Sequence, residues 1–177
     1  MNIFSMPSLR ILRYLGPRYR ESFYVRQIAK DTGISVGSAS ESLRSLAEYD
    51  LVRSEPRGRT LLYQGNITSP LLREMKILFS IHELTPLLLA IRGGSRTVIL
   101  FGSCSTGEDV VESDMDLFVI SEHRRQILRA IAAHQETVIR KISPVIASPG
   151  EAQEIRFRDP PLFERIRQGK ALAGEGL

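Results

Sequence analysis

The sequence predicts an α+β chain of two parts joined by a helix, and three features predict it. In the first third, helical apolar periodicity gives way to two short strand-like runs around Pro56-Arg57-Gly58-Arg59. In the second half, two apolar strand-like runs flank a Gly-Ser pair and an Asp-x-Asp, as in a mixed sheet with flanking helices. Between them, Ser69-Pro70 reads as a helix start, with a Ser cap and a Pro in the first turn. The expected division is 1–67, a helical linker over 68–94, and 95–177.

Ile11, Leu12, Tyr14 and Leu15 define a first amphipathic helix that ends around Gly16-Pro17. Residues 24–33 form a short second helix with Gly33 as its stop. Ser35 caps a third, about 36–49, which buries Ala39, Leu43 and Leu46 and leaves Gly37, Ser38, Ser40, Glu41 and Arg44 on the other side. Residues 51–55 and 60–64 read as the two strands of a basic hairpin. Helices followed by such a hairpin describe a winged helix-turn-helix.

This segment resembles the bacterial and archaeal winged-helix regulators in Ile28-Ala29 through Thr32-Gly33-Ile34-Ser35, in Leu43 and Leu46, and in its Gly58 hairpin. The resemblance implies a third helix in the major groove of double-stranded DNA, carrying Ser35, Ser38, Ser40 and Arg44, and a wing carrying Arg53, Arg57 and Arg59. Small polar side chains permit close approach, and the arginines neutralise phosphates. Against this, Glu41 is mildly repulsive to DNA, and winged helices also serve as protein-interaction modules. Because DNA-binding members read paired half-sites, a homodimer is the expected assembly.

The helix that follows Ser69-Pro70 is expected to restart at Thr85-Pro86, and Arg92-Gly93-Gly94-Ser95 to form a flexible joint. Then Val98-Ile99-Leu100-Phe101 reads as a strand ending in Gly102-Ser103, with a segment behind it that starts a helix. After a polar spacer come Asp114-Met115-Asp116 and the apolar run to Ile120. Strand alternation turns Asp114 and Asp116 one way and Met115 and Leu117 the other. Paired carboxylates suit a hard cation such as Mg2+, and a Gly-Ser bend offers amides and a hydroxyl to phosphate.

At these residues the chain resembles the DNA polymerase β-like nucleotidyltransferase superfamily, and most closely its minimal members, which Gly107-Glu108 and Ser113-Asp114-Met115-Asp116-Leu117 echo. The resemblance implies a nucleotidyltransferase fold with Gly102 and Ser103 at the phosphates of a nucleoside triphosphate, and Asp114 and Asp116 as catalytic metal ligands for Mg2+. Active members carry a third carboxylate on a later strand. The strand expected here, residues 138–147, contains no Asp or Glu, and Ser143 stands where the acid belongs. Glu151 reads as a helix cap partner of Ser148. Catalysis is therefore left open.

Composition is that of an ordinary folded domain or two small ones. Residues 84–91, the most apolar stretch, are too few to span a bilayer, and no signal peptide pattern opens the chain, so a cytoplasmic protein without a membrane partner is expected. Cys104 is the sole cysteine, which excludes an internal disulfide and fits a loop residue better than a nucleophile. His82, His123 and His134 lack zinc-site spacing. A net charge of +4 permits nucleic acid without requiring it.

The leading expectation is a DNA-binding transcriptional regulator whose nucleotidyltransferase-fold domain binds a Mg2+-nucleotide, with transfer of a nucleotidyl group left open. One rival makes that domain a catalytically inactive nucleotide sensor or dimerisation element on a repressor. The other makes the chain an antitoxin-like nucleotidyltransferase acting on a toxin partner.

Overall fold

The computed structural model describes residues 3–174 and 176. Among the described residues are eight helices and two sheets, an α+β architecture that divides into two compact units, Met1–Lys76 and Ile77–Leu177. No described helix is long and apolar enough to cross a membrane.

In the first unit, α1 (Met6–Leu15) starts on Ser5, whose hydroxyl accepts the Ser8 N–H, and buries Ile11, Leu12 and Leu15. After β1 (Phe23–Tyr24) comes α2 (Val25–Thr32), closed by Gly33 in the left-handed region, where a glycine costs nothing. The Ser35 hydroxyl caps α3 (Val36–Glu48) by accepting the Ser38 N–H, and Ala39, Leu43 and Leu46 are fully buried. β2 (Val52–Arg57) and β3 (Thr60–Gly65) form an antiparallel hairpin whose two-residue turn is Gly58-Arg59. The strands extend further than the sequence pattern indicates, because Pro56 sits on an edge strand, where its missing N–H leaves no ladder bond unmade. β1 was not anticipated. A two-residue strand has no period to detect, and it exists because β3 offers its free edge at Phe23↔Tyr63.

α4 (Pro70–Ile91) is one continuous helix of 22 residues with Pro86 inside it. The expected restart at Thr85-Pro86 is therefore corrected. The Thr85 hydroxyl donates to the Ile81 carbonyl, and Leu84, Leu87 and Ile91 are buried on both sides of the proline, so packing outweighs the lost backbone bond.

The second unit is a four-stranded sheet in the order β6-β5-β4-β7: β4 (Thr97–Phe101), β5 (Met115–Ile120), β6 (Ile142–Ala147) and β7 (Lys170–Ala173). β4 pairs antiparallel with β5 and β7, and β5 pairs parallel with β6. A parallel pair needs a crossover, and α6 (Arg124–Gln135) provides it. α5 (Ser103–Thr106) is a single short turn after β4, and α7 (Pro149–Arg158) and α8 (Pro160–Arg167) follow β6. One sheet face, with Val98, Leu100, Met115, Leu117 and Val119, packs against α4 and α6; the other, with Ile99, Phe101, Phe118 and Ile120, packs against α7 and α8. Ser148 and Glu151 form the capping box expected at the start of α7.

β6 begins four residues later than the strand expected at 138–147. The reason is Arg140. Its guanidinium, 13% exposed, donates to Asp109 at 2.9 Å, Glu83 at 3.0 Å, Ser80 at 3.1 Å and the Cys104 sulfur at 3.3 Å. The Ile139 N–H donates to the same Glu83 carboxylate. That network pulls residues 139–140 off the strand line and ties α4, α5 and the entry to β6 together. Burial pushes the Cys104 thiol up to about 11 against the pull of Arg140, so the lone cysteine is a core group rather than a nucleophile. Removing the cation takes the ion pair away from two nearly buried carboxylates, so Arg140→Ala is expected to destabilise the second unit by about 3 kcal/mol. Because Cys104 is buried and alone, faster native-state alkylation of its thiol reads that loss directly.

Candidate functional site

The alternation of β5 decides where its acids point. Met115, Leu117 and Val119 are fully buried under α4 and α6, so Asp116 shares the opposite face with Phe118 and Ile120, and Asp114 follows the same period just ahead of the strand. Asp114 and Asp116 keep 40% and 28% of their side chains exposed, so both remain reachable.

Across the sheet, Asp116 pairs with Phe101, and the next residue on that strand is Gly102. A Cβ at Gly102 would lie 2.4 Å from Asp116 Oδ2 and 3.4 Å from an Arg165 nitrogen, which places glycine, acid and guanidinium in mutual contact. Gly102 has φ +70° and ψ −159°, a conformation that essentially only glycine adopts. Ser103 opens α5, and its carbonyl accepts the N–H groups of Gly107 and Glu108, which closes the bend. Its hydroxyl makes no hydrogen bond among the described residues. The predicted Gly-Ser bend and acid pair thus meet at one end of β4 and β5.

On the other side, β6 runs parallel to β5 with Asp116 opposite Ser143. Ser143 donates its hydroxyl to Asp114 Oδ2 at 2.8 Å, and Lys141 approaches the same oxygen at 3.4 Å. Arg165, from the last turn of α8, donates to Asp116 Oδ2 at 3.2 Å and lies over the Phe101 ring, 5.3 Å from its centroid. The Ser143 hydrogen bond, with Lys141 behind it, holds the Asp114 carboxyl below its ordinary value. Burial pushes Asp116 up, against the opposing pull of Arg165. The site is electrically asymmetric, with one acid held firmly ionised and the other less so.

Lys141 and Arg165 escape a reading of the sequence. Lys141 stands two positions before Ser143, so the strand period could have found it. Arg165 has no local signal, since α8 reaches Asp116 over 49 residues of chain.

In the first unit, Arg44 is exposed on α3, and Ser38 and Ser40 are half-buried there. The Ser35 hydroxyl is occupied as the cap of that helix. Arg57 and Arg59 are exposed and flank Gly58 at the hairpin tip. Arg53 is not with them. It pairs in register with Gln64, at the far end of the hairpin, and donates to the Thr68 hydroxyl at 2.7 Å.

A family model described as a nucleotidyltransferase domain matches residues 88–170, which contain every element of the Gly102 to Arg165 constellation. The second unit carries a nucleotidyltransferase domain. No curated protein matches the chain.

Domains of this kind imply Mg2+, and the donors set out above determine what could be held. Two carboxylates beside a serine hydroxyl fit one hard cation that completes its shell with water and phosphate oxygens. They do not fit a pair of ions, because Ser143, opposite Asp116, brings no charge and no three His, Cys, Asp or Glu side chains converge among the described residues.

Gly102 is the tightest point of the nucleotidyltransferase domain's site. Gly102→Ala is expected to cost about 1–3 kcal/mol in backbone strain, with a further penalty for displacing Asp116. Urea denaturation measures the first effect, and weakened Mn2+ binding to the folded variant the second.

Proposed function

We propose that the chain is a DNA-binding transcriptional regulator whose nucleotidyltransferase domain binds a Mg2+-nucleotide and transfers nucleotidyl groups poorly or not at all. The observation that carries the second half is Ser143, opposite Asp116 in the β5–β6 ladder with its hydroxyl on Asp114. A serine there can orient Asp114 but supplies neither a metal ligand of full charge nor a base for the attacking hydroxyl.

In this reading Asp114 and Asp116 hold the cation, which neutralises phosphate charge when bound. Gly102 keeps the bend free of a side chain, so the Arg165 guanidinium stands within 3.4 Å of the Cβ position and could meet a phosphate there. The hydroxyl of Ser103, the next residue along the bend, adds a donor for the same phosphate. Binding of this kind positions a nucleotide without activating it, and a regulator needs no more.

The DNA-binding half rests on the order α2, turn, α3, hairpin, which is that of a winged helix-turn-helix. Exposed Arg44 on α3 and Arg57 and Arg59 at the hairpin tip supply phosphate partners, and the small Ser38 and Ser40 on α3 leave room for close approach. Arg53, tied to Thr68, is left out of the proposed contact surface.

Two experiments test the halves separately. For the nucleotide site, Ser143→Asp is expected to tighten Mn2+ binding about tenfold by adding a charged ligand, and Asp114→Asn with Asp116→Asn to abolish it. Incubation of the wild type with α-labelled nucleoside triphosphates should transfer at most sub-stoichiometric label above the double asparagine variant; multiple turnovers overturn the reading. For the DNA half, Arg57→Ala with Arg59→Ala should weaken duplex binding and reduce the slope of log affinity against log salt by about 2, one counterion for each phosphate that is no longer neutralised. An unchanged slope removes the hairpin from the interface.

A further inference from the structure

Arg165 pairs with Asp116 from an element that the glycine-serine bend and the acid pair do not require. Its side chain is 57% exposed, so the pair is not a buried structural tie of the Arg140 kind. Yet the guanidinium is not loose on the surface either. It lies over the Phe101 ring and within 3.4 Å of where a Gly102 Cβ would stand, between the acid that would hold a cation and the bend that would hold a phosphate.

A cation on Asp116 and a guanidinium on the same carboxylate oxygen compete, because like charges repel at close range. A polyphosphate at Gly102-Ser103 offers the guanidinium a better partner, since planar guanidinium groups pair phosphate oxygens in bidentate fashion.

We propose that Arg165 is a phosphate-binding residue that waits on Asp116, and that nucleotide and metal ion bind by exchanging its partner. In the free protein the guanidinium occupies the Asp116 oxygen, at 3.2 Å. As the nucleotide enters, Arg165 moves the short distance from carboxylate to phosphate, which would leave Asp116 free to hold a metal ion. No bond is made or broken in this exchange; two ion pairs trade members. Lys141 needs no such move, since its ammonium, 72% exposed at 3.4 Å from Asp114, is already largely hydrated. Metal ion alone is therefore held weakly, and nucleotide strengthens it.

The inference rests on the Mg2+-nucleotide reading of this site, and the test separates the two. Mn2+ alone is titrated by electron paramagnetic resonance, and the β,γ-imido analogues of ATP and GTP are titrated by calorimetry in Mg2+, for the wild type, Arg165→Ala and Arg165→Lys. Arg165→Ala is expected to bind Mn2+ alone about threefold more tightly, as when one exposed ion pair stops competing. The same variant is expected to bind the analogue about tenfold more weakly, as when one charge-assisted hydrogen bond is removed. Arg165→Lys should fall between for the analogue. These opposite signs cannot come from misfolding, which weakens both. If the wild type fails to bind either Mn2+ or both analogues, the site reading falls and the inference with it. If the wild type binds both ligands and Arg165→Ala weakens both, or leaves either unchanged, the exchange is refuted while the site reading stands.

Discussion

A carboxylate at position 116 has to be held at the rim of an apolar layer, and much of the site follows from that constraint. The face of β5 that carries Asp116 continues into Phe118 and Ile120, which pack under α7 and α8, and Phe101 faces it across β4. Burial on this scale disfavours ionisation, and Asp116 is pushed up accordingly. The chain answers with Arg165 on one side and with Gly102 on the other, where no side chain would fit. Remove any of the three and the remaining two lose their reason to meet.

The Arg140 network performs a different service at lower cost in exposure. Arg140 stands at the entry to β6 and its partners lie on α4 and on the segment after α5, so one nearly buried guanidinium joins elements far apart in sequence. Through Cys104, the second residue of α5, it also braces the turn that begins at Ser103. A nearly buried, multiply bonded cation is a rigid anchor for that turn. By contrast, the Arg165 pair is exposed and single, the arrangement expected of an ion pair that breaks in use.

Residues 97–120 were legible because period two fixes both faces of a strand at once. With Met115 and Leu117 assigned to the core, Asp114 and Asp116 had only one direction left, and Gly102-Ser103 could only be the bend at the neighbouring strand's end. The helices of the first unit were legible through their caps: Ser35 and Gly33 each satisfy backbone groups in the way their positions implied. α6 was missed although Ile127 and Ile131 are buried four apart, because arginines at 124, 125 and 129 hide so narrow a stripe. β7 was missed because a four-residue edge strand of Lys-Ala-Leu-Ala has no pattern of its own, and only the open edge of β4 makes it a strand. Arg165 was illegible for the same reason at the level of a side chain, since its partner is chosen by the path of α8 and not by its neighbours.

Ser143 is the residue at which legibility and chemistry join. Its absence of charge was visible in the sequence, but its effect depends on a geometry that sequence could not supply. Parallel pairing sets it beside Asp116, yet its hydroxyl reaches Asp114, and there it lowers the pKa of the acid that was already the more exposed. The two acids are therefore driven apart in their readiness to ionise, where a third carboxylate in the same place would have raised both by like-charge repulsion. A third acid demands metal ions to relieve that repulsion. With serine in its place the pair is balanced by Lys141 and Arg165.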